Sequence, residues 1–153
     1  MTSNLISSTL LLCEKVLIEK DEVLSVMRMF DTYYLPVVPD VDPDKSPNVA
    51  APITFLAVCR FDQKASGDHV LKLRFINPEN TASDVGKIET IDLSAIPVIG
   101  DAPKSINVIW NIVVAPKRLG TYFAVLVLDD VEVDRAPFTF LLQPDLELPK
   151  SAN

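Results

Sequence analysis

Three aspartates alternate through Pro39-Asp40-Val41-Asp42-Pro43-Asp44-Lys45, the densest run of hard oxygen donors in the chain. Calcium takes six to eight oxygen ligands, so Asp40, Asp42 and Asp44 could ligate it if further carboxylates joined them. Asp129, Asp130, Glu132 and Asp134 form a second acidic group on a different turn. The EF-hand spacing is absent, and the simpler expectation is a solvated acidic loop with no cofactor.

The one histidine, His69, follows Asp68 and lies close to Ser66. A hydrolytic triad needs a nucleophile, a base and an orienting acid converging in space, which neighbours in one turn do not supply. The expectation is a solvated turn histidine. No Gly-x-Ser-x-Gly, phosphate-binding glycine loop or His-Glu-x-x-His occurs, and four glycines leave little for a backbone phosphate cradle. No catalytic residue is assigned, so a non-enzymatic domain is expected. Cys13 and Cys59 read as buried free thiols, and a single histidine cannot complete a zinc site with them. Sugar-binding sheets use exposed aromatic platforms. Tyr33 and Tyr34 offer a thin one, with Tyr34 the sharper candidate, whereas Trp110 shares a face with the apolar Ile106, Val108, Ile112 and Val114, which reads as the core face.

The elements that would position these groups are short strands. With 153 residues, 48% hydrophobic and 23% charged, the chain has the size and composition of one globular domain spanning 1–153. The net charge of −7 argues against nucleic acid or an anionic membrane as the main partner. No run of 18 or more apolar residues exists, and the start Met1–Cys13 lacks a basic region and a cleavage site. No membrane association and a cytoplasmic location are therefore expected.

Between residues 10 and 35 two short apolar runs are followed by a third beyond Glu19-Lys20-Asp21-Glu22, which suits a hairpin better than one helix. Five prolines between 36 and 52 mark a long irregular loop. Ile53–Phe61 and Val70–Ile76 then alternate as strands around the turn Ala65-Ser66-Gly67-Asp68. Lys87–Leu93 is a weaker strand, and Ser105–Ala115 and Thr121–Leu128 are the most apolar ones. Val131–Asp134 and Pro137–Leu142 close the sheet, and the tail 146–153 is expected to be loose. Eight or nine strands without an amphipathic helix after residue 35 predict an all-β antiparallel β-sandwich, immunoglobulin-like or C2-like.

Leu12-Cys13-Glu14-Lys15-Val16 with Leu24-Ser25-Val26, and Gly120-Thr121-Tyr122-Phe123 with its acidic turn and Ala136-Pro137-Phe138, are the strand starts and turns of a recognisable pattern. In these the chain resembles an uncharacterised family of small bacterial β-sandwich domains. Asp21-Glu22 departs from it where a turn glycine would be expected. The resemblance implies a fold and no activity.

Two strands carry apolar residues on both faces. Ile109 and Val113 lie opposite the Trp110 face, and Tyr122, Ala124, Leu126 and Leu128 lie opposite Phe123, Val125 and Val127. The expectation is that Ile109, Val113, Tyr122, Ala124, Leu126 and Leu128 form an outer patch used for self-association or a protein partner. The alternative is a small-ligand, carbohydrate or calcium-binding module working through loop 36–52 and the acidic turns.

Overall fold

The computed structural model describes residues 4–36 and 49–143. Asp40, Asp42, Asp44, most of the proline loop and the tail 146–153 lie outside the described residues. Nine strands run in order: β1 Leu5–Ile18, β2 Leu24–Met29, β3 Thr32–Leu35, β4 Ala51–Phe61, β5 Asp68–Ile76, β6 Ala82–Asp92, β7 Lys104–Val114, β8 Gly120–Leu128 and β9 Val131–Leu142. A 3₁₀ turn at Leu93–Ala95 separates β6 from β7. The fold is all-β and has two sheets, ordered β2-β1-β4-β7 and β3-β9-β8-β5-β6.

The hairpin expected around Glu19-Lys20-Asp21-Glu22 is present, with Ile18 opposite Leu24. Glu22 takes φ 63 there, the left-handed conformation that a glycine would adopt more cheaply. The hairpin does not extend to residue 35. The chain leaves the first sheet after Met29, and β3 joins the second sheet parallel to β9, with Tyr33 opposite Phe140. The antiparallel expectation is corrected at this pair; the other strand pairs are antiparallel.

The two segments expected to follow Asp130 form one strand, β9, which runs straight through Pro137. Proline cannot donate to a ladder, but β3 pairs only with Thr139–Leu142, so β9 has β8 alone beside it at residue 137. The β8–β9 turn is a two-residue link in which Asp129 and Asp130 both have positive φ, 49 and 65. That geometry suits the right-handed twist of a hairpin.

The core lies between the sheets. Leu10 and Leu12 of β1, Ile53 to Phe61 at alternate positions of β4, and Trp110 of β7 meet Leu71, Leu73 and Phe75 of β5, Ala124 and Leu126 of β8, and Phe138 and Phe140 of β9. Phe138 has Phe55, Phe75, Tyr122 and Phe140 around it, with ring centroids 5.3–5.9 Å away. Two polar contacts tie the sheets along the β1–β9 side. Leu10 N donates to Asp134 Oδ2 at 2.6 Å, and Ser8 Oγ donates to Val133 O at 2.8 Å. Opposite, Trp110 Nε1 donates to Lys87 O at 2.9 Å. Among the described residues no helix is long and apolar enough to cross a membrane.

Candidate interaction face on the first sheet

Strand alternation puts the second face of β1, β4 and β7 away from the core. Leu11 pairs with Leu56, and Leu56 pairs with Ile109, so three aliphatic side chains form one row across three strands. Leu56 lies outside the intersheet core yet is only 2% exposed. An apolar neighbour on each side covers it, as cross-strand pairs do on a sheet surface. Leu11 and Ile109 stay half-buried. Val113 is 69% exposed on the same face of β7, and Met29 is exposed opposite Cys13. Ile109 and Val113 therefore stand where the sequence placed them, facing outward.

Tyr122, Ala124, Leu126 and Leu128 do not. All four point into the core and are buried. Moreover β7 and β8 belong to different sheets, so these residues cannot extend the Ile109 patch. The phase of β8 was ambiguous because both its faces are apolar. Val125 and Val127, expected inside, lie on the outer face, where Val125 stands between Arg74 and Arg135 and Val127 between Lys72 and Glu132. The aliphatic stems of these long side chains cover the two valines while their charged ends pair outside. Arg74 binds Asp84, Lys72 binds Asp130 and Arg135 binds Glu132. The Arg135 guanidinium also sits 5.3 Å above the Phe123 ring.

His69 is not solvated. Its side chain is 14% exposed and stacks on Phe61. Nδ1 lies 2.6 Å from Asp129 Oδ2, and Nε2 lies 3.3 Å from the backbone oxygen of Ser66. Asp129 Oδ1 accepts from Val70 N. Burial works against the Asp129 carboxylate, but the bonds from His69 and Val70 N outweigh it and hold the group below the usual range. Asp68 stays outside this set and faces Asp92 across the β5–β6 ladder. The dyad pins the β8–β9 turn to β5, and the Ser66 hydroxyl is not aligned on it by any hydrogen bond.

The acidic residues of the second group bind protein donors: Asp129 and Asp130 as above, Glu132 with Arg135, and Asp134 with the Leu10 and Arg135 backbone amides. Among the described residues no group of three or more His, Cys, Asp or Glu is arranged to hold a metal ion. Cys13 and Cys59 are free and buried. Burial, helped by the Asp134 charge, pushes the Cys59 thiol up to about 11, and burial raises Cys13 as well.

Tyr33 and Tyr34 line a groove of about 490 Å³ with Phe30, Thr32, Pro52 and the Glu14–Arg28 pair. Tyr33 packs edge-on against Phe30 and near Phe140, which leaves Tyr34 as the one exposed ring. Leu11 and Leu56 were missed by the sequence reading. The signal was Phe55-Leu56-Ala57-Val58, four apolar residues in a row on a strand whose other face was already assigned inward.

No curated protein matches the chain. A solved structure of Pseudomonas fluorescens alkylpurine DNA glycosylase AlkC, bound to DNA containing an abasic site analogue, is similar in part, with 12% identity and a TM-score of 0.40. The match covers 59% of this chain and 26% of that one. A likeness of that size assigns no activity here. The exclusion of nucleic acid drawn from the net charge of −7 is withdrawn. Net charge speaks to average repulsion and does not decide what a local surface binds. The pattern of a family of unknown function, DUF6941, matches residues 8–141, and the chain belongs to that family.

Proposed function

We propose that the protein is a non-enzymatic cytoplasmic interaction domain that self-associates through the outer face of its first sheet. In this reading the two sheets are an immunoglobulin-like or C2-like sandwich whose role is to present that face. The observation that carries the proposal is the Leu11–Leu56–Ile109 row with Val113 exposed beside it. Apolar side chains on the outer face of a sheet, away from the core, are a feature that marks interfaces. Their burial contributes about 25 cal/mol per Å², reduced by the entropy of association.

Solution mass by light scattering, before and after Val113→Lys and Ile109→Lys, tests the reading. A folded product of lower mass from either substitution supports it. Folded variants that keep the mass of the unmodified chain contradict it.

A further inference from the structure

β7 is an edge strand of a kind that folded proteins usually protect. An edge presents unpaired N–H and C=O groups, and natural sheets blunt it with charges, proline, bulges or short length. The other three edges among the described residues, β2, β3 and β6, are treated in that way. β3 has four residues, and β2 has six with Arg28 at φ 49. β6 carries Asp84, Lys87, Glu89 and Asp92, and its ladder shifts register beside Gly86. β7 has eleven residues in unbroken register with β4. From Ser105 to Val114 it contains no charged residue, proline or glycine. No ladder joins it to β6, whose link to it is the Trp110 indole bond.

The strand is also complementary to itself. If two antiparallel copies cross at Ile109, Asn107 of each stands opposite Asn111 of the other, and Ser105 opposite Val113. On the inner side Ile106 meets Ile112, and Val108 meets Trp110. Isologous contacts require this kind of self-match. The outer face points to the same crossing. Leu56, with an aliphatic neighbour on both sides, is 2% exposed, whereas Ile109 has one on a single side and is half-buried. A second Ile109 would complete its row.

We infer that the partner of the first sheet is a second copy of this chain, docked by antiparallel pairing of β7 with β7 about Ile109 into one continuous eight-stranded sheet. The inference rests on the proposed self-association and adds its mode. Asn107 and Asn111 are exposed; Asn111 Oδ1 also accepts from Thr54 Oγ1 at 2.9 Å, a bond that both double variants give up, so the comparison between them isolates the charge. The pair N107K/N111K places like charges opposite each other at two positions of the dimer, and N107K/N111E places opposite charges there. Cross-strand pairs of this kind shift stability by about 0.2–1 kcal/mol each. N107K/N111K should therefore weaken association by about two- to thirtyfold. N107K/N111E should restore it at low salt, with the circular dichroism of each variant unchanged. A dimer equally tight in both variants overturns the β7 pairing and leaves a face-to-face association standing. A chain that is monomeric before any substitution overturns both.

Discussion

Gly86 of β6 and Trp110 of β7 touch across the gap between the sheets. A Cβ on Gly86 would lie 3.0 Å from Trp110 Cδ1 and 3.2 Å from Ile112 Cδ1. The glycine also has φ 71. Both the space and the backbone conformation demand the missing side chain, and the neighbouring Lys87 carbonyl takes the indole hydrogen. Gly86→Ala should destabilise the fold by about 1–3 kcal/mol, from overpacking together with the left-handed backbone. Trp110→Phe should cost more than the roughly 1 kcal/mol of the lost hydrogen bond, because the smaller ring also leaves a cavity in the core. Urea unfolding followed by far-ultraviolet circular dichroism measures both.

Lys104 is buried, and its ammonium donates to Ala65 O and Leu93 O, each at 2.7 Å. It clamps the β4–β5 turn to the 3₁₀ turn before β7. Lys104→Met keeps the stem and leaves two carbonyls short of a donor. The unmet carbonyls should cost about 1–3 kcal/mol, read as a lower urea midpoint at unchanged slope.

The orientation of β8 gives a sharp contrast. Leu126 is 0% exposed in the core, so Leu126→Ala should cost about 2–5 kcal/mol and Leu126→Lys should yield no folded protein. Val113→Lys should leave the thermal midpoint within a few degrees. A folded, soluble Leu126→Lys chain would return that residue to the surface.

Asp129 links stability to pH. Its carboxylate is held below the ordinary value near 3.9, so its contribution is present above that pH and is lost as pH falls through the lower folded value. The stability gap between the unmodified chain and Asp129→Asn should therefore narrow as the pH falls below about 4. Unfolding curves across pH 2–7 check the shape.

Much of the architecture can be read in the chain, and the failures have physical reasons. Glu19-Lys20-Asp21-Glu22 marks a turn because no apolar stripe survives it. Asn107 and Asn111 mark the outer face of β7, on which Ile109 and Val113 also lie. From Tyr122 to Leu128 no polar residue sets a phase. The groups that cover Val125 and Val127 lie on β5 and β9, and only the sheet brings them there. His69 reads as solvated because Asp129, its partner, is far along the chain and reaches it through a turn that two left-handed aspartates build. Sheet membership, which separates β7 from β8, is likewise a property of long-range pairing.

Self-association is the claim on which the account turns. Light scattering after size exclusion, at two protein concentrations, measures it directly. The account predicts a mass of about twice 16.9 kDa that rises towards that value with concentration. A mass of one chain at both concentrations would contradict it.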